Sequence, residues 1–164
     1  MNIKINKFLL FLTLIIPYFI FSQSEENSLF EKKTLQQKTI QYKGEINFIK
    51  AHSFYLKKEW DSTLVYSMKQ LSHTNNKVIN NYCHYFRGIS FFNKKIYKEA
   101  QKELFFISNP FLLLPQKNYY LGASLLYLRE FDKALIHLNT AEKQSINQKE
   151  TTYLADIYLS LIHI

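Results

Sequence analysis

Side chains able to do covalent or metal chemistry are few in this sequence and are never gathered. The chain has three glycines, Gly44, Gly88 and Gly122, each standing alone, so no glycine-rich loop can cradle a phosphate. Cys83 is the single cysteine, which excludes an internal disulfide and a paired-thiolate zinc site. It reads as a small buried helix residue. His52, His73, His84 and His137 are scattered singly, outside the His-Glu helical spacing of a zinc protease, and no nucleophile-elbow pattern occurs. The residues therefore predict no enzyme chemistry, no cofactor and no metal, and direct attention to the elements that such residues would have needed as a scaffold.

The 164 residues, 47% apolar and 16% aromatic, suffice for one packed domain. At the start, Lys4 and Lys7 precede an apolar run of 14 residues from Phe8 to Phe21, followed by Ser22 and Gln23. That layout predicts a secretory signal peptide over 1–22, cleaved after Ser22 or, alternatively, after Gln23. The run is shorter than the roughly 20 residues of a membrane anchor and contains Pro17. Export to a periplasm or cell surface follows, which fits a chain without disulfides. Without Lys4 and Lys7 the mature chain carries 19 basic against 13 acidic residues, a net of +6. The lysines are spread along the chain, as on solvated helix faces, so the charge predicts no nucleic-acid partner.

Three stretches align: "KAHSFYLKKEWDST", "RGISFFNKKIYKEA" and "LGASLLYLREFDKA". Each has a small residue (Ala51, Gly88, Gly122) three positions before a large one (Phe54, Phe91, Leu125), then an aromatic (Trp60, Tyr97, Phe131) and a second small position (Thr63, Ala100, Ala134). The units are spaced by 37 and then 34 residues, with the excess in the polar stretch "SHTNNK". A fixed period with extra residues confined to a loop marks a solenoid. Glycine inside a helix costs about 1 kcal/mol relative to alanine, so two glycines at one register imply a steric need. Ala51, Gly88, Ala100, Gly122 and Ala134 are accordingly the expected close-packing positions between paired helices.

The third unit, with Leu121, Gly122, Leu125, Ala134 and Leu138, resembles the tetratricopeptide repeat. The second matches at Gly88, Phe91, Ala100 and Leu104 but has Arg87 in the leucine's place, and the first is the most degenerate, with Thr63 and Ser67. None carries the family's proline at the end of its second helix; Pro115 instead opens the first helix of the third unit. The resemblance implies an all-α fold of antiparallel helix pairs stacked as a right-handed superhelix, about three repeats plus one unpaired helix. The units span about 45–76, 81–114 and 115–148, with a partial one at 149–158. Residues 23–44 form either a linker or a capping helix.

In that family the first helix of each pair lines a peptide-binding groove. Carried over, the groove here comprises Tyr82, Tyr85, Ile89, Phe92, Asn93, Tyr119, Leu126 and Tyr127, with Phe48, His52 and Tyr55 from the first unit. Only Asn93 would suit a carboxylate clamp. The expected partner is a protein or peptide segment docked on aromatic anchors, although residues 24–44 or later repeats could equally cover these aromatics. The stretch "NPFLLLP" between units is expected to pack against neighbouring helices.

"TTYLADIYLS" continues the register, with Leu154 and Ala155 in the Leu-Gly places and Tyr158 in the large place. A fourth first helix is thus expected without its second. The terminal "LSLIHI" (159–164) resembles one translated frame of the transposon-end adapter used in preparing sequencing libraries, which implies a non-native tail and a truncated chain. The whole resembles the exported repeat region of Bacteroidetes-type sensor histidine kinases or regulators, with a membrane tether through the missing C-terminal part. The alternative is a complete small periplasmic adaptor.

Overall fold

A computed structural model describes residues 31–73, 75–148 and 153–162, and the expected signal peptide lies outside them. The described residues form helices and no strand: α1 (31–41), α2 (Ile46–Leu56), α3 (Trp60–His73), α4 (Lys77–Asn93), α5 (Tyr97–Phe105), α6 (Leu114–Tyr127), α7 (Phe131–Gln148) and α8 (Leu154–Ile162). Helices α2 and α3, α4 and α5, and α6 and α7 pack as consecutive pairs. Across the pairs, α4 touches both α2 and α6, while α3 meets α4 and α5 meets α6. The segment 23–44, for which linker and helix both stood open, is helical over 31–41.

Each pair turns through the same backbone motif. Lys58, Lys95 and Arg129 have φ of 60°, 62° and 61°, the left-handed conformation that closes a helix C-terminus. In the first turn the Lys58 N–H donates to the Tyr55 carbonyl at 3.0 Å and the Glu59 N–H to that of Phe54 at 3.0 Å. The equivalent bonds recur from Lys95 to Phe92 and Ile96 to Phe91, and from Arg129 to Leu126 and Glu130 to Leu125. The following helix then starts in register, with Thr63, Ala100 and Ala134 donating to Glu59, Ile96 and Glu130. These turns are 37 and 34 residues apart, the spacing of the sequence units. Trp60, Tyr97 and Phe131 are the first residues of α3, α5 and α7.

The contact inside each pair explains the glycines. A Cβ built on Gly88 would lie 2.6 Å from Leu104 of α5, and one on Gly122 would lie 2.8 Å from Leu138 of α7 and 3.3 Å from the Ala134 carbonyl. Both leucines stand sixteen residues after their glycine. In the first pair, the same offset from Ala51 reaches Ser67, and both are fully buried. The position that gains a methyl is thus matched by one that loses a branched side chain. Ala51, Gly88, Ala100, Gly122 and Ala134 are all buried.

Buried polar links accompany these contacts, since a buried polar group is costly unless hydrogen-bonded. Gln70 of α3 accepts from the Phe48 N–H at 3.0 Å and donates to Glu45 at 2.7 Å. Glu103 of α5 binds Arg87 at 2.6 Å and His84 at 2.8 Å, both on α4. Burial acts to raise the Glu103 carboxyl, but the bonds from His84 and Arg87 outweigh it and hold it below its ordinary value. Asn118 of α6 donates to Gln144 of α7 at 2.7 Å. Asn81 of α4 clamps Ser108 in the loop after α5, donating to its carbonyl at 2.7 Å and accepting from its N–H at 3.1 Å. Within "NPFLLLP", Phe111 and Leu113 are buried and Leu112 is exposed.

Gly88→Ala is expected to destabilise the fold by about 1–3 kcal/mol through overpacking. In a Leu104→Ala background the same change should cost markedly less, because the clashing side chain is gone. Urea denaturation of the four chains measures the coupling, and additive effects would refute the assigned contact.

Candidate functional site

The helix faces expected to line a groove divide into a covered part and an open part. Tyr82, Tyr85 and Ile89 are 1%, 0% and 2% exposed, so they do not face an open groove in this arrangement; for them the covered alternative, left open beside peptide docking, is the one seen. Phe48 and His52 are likewise buried. The covering elements are the loop before α6, whose Phe111 lies 5.0 Å from Tyr82 and 5.6 Å from Tyr85 between ring centroids, and α1.

α1 reaches this face with side chains spaced along one stripe. Leu35 is fully buried in the same cluster as Phe48, Tyr82, Tyr85 and Phe86. Glu31 accepts from the Tyr55 hydroxyl at 2.6 Å, the Tyr85 hydroxyl at 3.1 Å and the Tyr153 hydroxyl at 3.5 Å. Burial, then the Glu31 charge, drives the Tyr55 and Tyr85 phenols well above their ordinary value. For Tyr153 burial, then its neighbour Tyr120 and the Glu31 charge, do the same. These hydroxyls stay protonated and serve as donors.

Farther along the stripe, Thr39 Oγ1 lies 2.6 Å from His52 Nδ1 and donates to the Leu35 carbonyl at 2.9 Å. This contact ties the His52 imidazole to α1 through Nδ1. Nε2 is buried with no protein hydrogen-bond partner. Burial lowers the His52 pKa from 6.5 to about 4.

The open part lies where α4, α6, α7 and α8 meet. A cleft of about 300 Å³ is lined by Phe92, Tyr119, Leu126 and Tyr127, together with Ala123, Phe131 and Ser160. Tyr127 is 63% exposed, and its ring stacks on Tyr97 with centroids 4.2 Å apart and planes within 6°. Phe92 meets Tyr97, Tyr120 and Tyr127 edge-on at 5.6, 5.1 and 6.0 Å. Rings that brace one another in this way present a fixed apolar wall. Four of the eleven carried-over groove residues therefore share one accessible cavity.

Asn93 is exposed, and its amide donates to the Ile89 carbonyl at 2.9 Å. It borders a separate cavity with Tyr55, Trp60, Tyr120 and Glu31. Ala123, Phe131 and Ser160 were not expected at the cleft. Phe131 had a visible signal, since it is the recurrent aromatic of its unit, whereas Glu31 sits in a stretch without periodicity.

The remaining chemistry is restricted. Burial pushes the Cys83 thiol up to about 12, so it is not a thiolate near neutral pH. Among the described residues no group of His, Cys, Asp or Glu is arranged to hold a metal ion, and no helix is long and apolar enough to cross a membrane. Comparison of the chain with family models, curated proteins and solved structures found no match.

The His52 shift fixes a pH dependence. Its folded pKa lies below the unfolded value, so the native state is fully favoured above pH 6.5 and loses stability as pH falls toward about 4. The Glu103 contribution is lost only below 4.5. Between pH 6.5 and 4.5 the urea midpoint should fall by the equivalent of about 1–2 kcal/mol, and His52→Gln should flatten that slope. An unchanged slope in the variant would refute the assignment.

Proposed function

We propose that this chain is a non-enzymatic binding protein of the tetratricopeptide type, which captures protein segments by seating a large apolar or aromatic side chain in the Phe92–Tyr127 cleft. The observation that carries this reading is the cleft itself. It is concave, walled by mutually braced aromatic rings and near the lower end of the volumes typical of ligand sites. Rigid aromatic walls bury large areas at small entropic loss, which is how a few residues dominate peptide affinity. The helix pairs, the recurring left-handed turns and the glycine-to-leucine register support the tetratricopeptide assignment. The charged residues lie mainly outside this wall, so specificity is expected to follow side-chain shape.

We infer further that the chain is exported and acts at a periplasmic or cell surface, as the receiving part of a signalling protein. The basic residues Lys4 and Lys7 ahead of the apolar run support export. A small adaptor with the same cleft is the second reading, and it makes the same binding predictions.

Selection of random peptides against the chain should enrich sequences with a Phe, Trp or Leu anchor. Tyr127→Ala and Leu126→Ala should weaken the selected peptides at least tenfold while both chains stay helical by circular dichroism, with a lower melting temperature for Leu126→Ala, whose side chain also packs on both apolar clusters. Peptides that bind both variants as well as the parent would sink the reading. For export, expression of the full chain in a Gram-negative host and mass spectrometry of its periplasmic fraction should give a chain that begins at Gln23. A chain retaining Met1 in the cytoplasm would count against it.

A further inference from the structure

One surface of the first helix pair gathers cations on aromatic rings. Phe54 of α2 and Tyr66 of α3 stack with centroids 5.3 Å apart and planes inclined by 17°. Lys50 and Lys69 place their ammonium groups 5.2 and 5.1 Å from the centre of the Tyr66 ring, and Lys57 places its own 5.9 Å from that of Phe54. The three lysines are exposed and the two rings half-buried, so the stack holds three charges at the surface. Among the described residues none of the three lysines has a carboxylate partner. The acids of these helices are engaged elsewhere, Glu45 accepting from Gln70 and Asp61 pairing with Lys94. Glu59 stands in the turn, after Lys57 and Lys58.

Apolar side chains stand among these cations. Val65 and Met68 of α3 are 51% and 56% exposed, and Ile46, one turn before Lys50 on α2, is 65% exposed. Val65 lies three residues before Met68 and four before Lys69, so the three share one side of α3. None of these side chains lines the Phe92–Tyr127 cleft or the cavity beside Trp60. Cations interleaved with exposed aliphatic and aromatic groups suit the boundary of a negatively charged bilayer, where ammonium groups meet phosphates and apolar groups enter the acyl edge. A soluble polyanion would use the lysines alone and leave Ile46, Val65 and Met68 in water.

We propose that this face, with Lys50, Lys57 and Lys69 over the Phe54–Tyr66 stack and Val65 and Met68 beside them, is a docking surface for an anionic phospholipid bilayer. Unpaired cations select the negative headgroup, and the neighbouring apolar side chains select a bilayer over a dissolved anion. The surface uses no side chain of the Phe92–Tyr127 cleft and stands whether or not that cleft binds peptide.

The test is sedimentation of the full chain with phosphatidylcholine vesicles, with and without phosphatidylglycerol, at low ionic strength. The apolar run Phe8–Phe21 is common to every chain compared, so the quantity read is the ratio of affinities for the two vesicle types. That ratio should be at least tenfold for the parent and should fall as salt is added. Lys50→Glu with Lys69→Glu should lower it at least tenfold, since each cation near such a surface adds to binding. Lys98→Glu with Lys143→Glu, the same change in net charge on α5 and α7, should leave it within about threefold of the parent. Should the first pair of changes cost the helical circular dichroism, Lys50→Gln with Lys69→Gln takes its place, with a loss of at least threefold expected. Val65→Ser with Met68→Ser should weaken binding to the anionic vesicles at least threefold and leave retention on a heparin column unchanged. A parent without preference for phosphatidylglycerol, equal losses from the two lysine pairs, or full vesicle binding by the serine variant overturns the proposal. The last result would make the face a site for soluble polyanions.

Discussion

Two helices can approach until their side chains collide, and in this chain the limit is set where a leucine of one helix enters the space above a glycine of the other. Leu104 over Gly88 and Leu138 over Gly122 are the two instances. One turn geometry accompanies all three pairs, including the first, where alanine and serine hold these places. With the pair held close, the chain has few residues in which to reverse, and it uses a left-handed residue with paired hydrogen bonds each time. That lysine and arginine occupy these positions, where glycine would avoid strain, shows that closure outweighs a local penalty of about 1–2 kcal/mol. The position of every aromatic at the start of a second helix, and hence the wall of the cleft, depends on this reversal.

Carboxylates supply the second level of organisation. Glu45 with Gln70, Glu103 with His84 and Arg87, and Glu31 with Tyr55 and Tyr85 each tie one element to another. A buried negative charge is tolerated only where donors surround it, so each link also demands a particular arrangement of its neighbours. The tyrosine-rich interior is part of the same logic. A phenol contributes the area of an aromatic ring and one donor, and the donors of Tyr55 and Tyr85 find their acceptor in α1.

Much of the helical architecture was legible in the sequence because it rests on local rules. Small residues at fixed register, aromatics at the turns and the extra residues in "SHTNNK" all reflect contacts within or between adjacent helices. The site was legible only in part. Helical position alone puts Tyr82, Tyr85 and Ile89 on the same side as Phe92 and Tyr119, yet the first three are covered and the other two reach a cavity. The difference comes from Phe111 and Leu35, which lie in a loop and in a polar helix and whose destinations no periodicity announces. Glu31 was invisible for the same reason, since a single acid among lysines and glutamines carries no sign that three tyrosine hydroxyls will meet it.

The exchange of sizes between Ala51 and Ser67, in the places held elsewhere by glycine and leucine, bears on modularity. Repeat arrays are often treated as interchangeable blocks, to be shuffled or duplicated at will. Here α2 and α3 carry their own pairing of sizes, an alanine and a serine sixteen residues apart, both fully buried. A leucine at the Ser67 position would add a branched side chain at a fully buried site, and a glycine at the Ala51 position would take a methyl from another. Moving α2 or α3 singly into another pair would therefore combine sizes that no pair combines now, so the first pair is expected to transfer best as a unit.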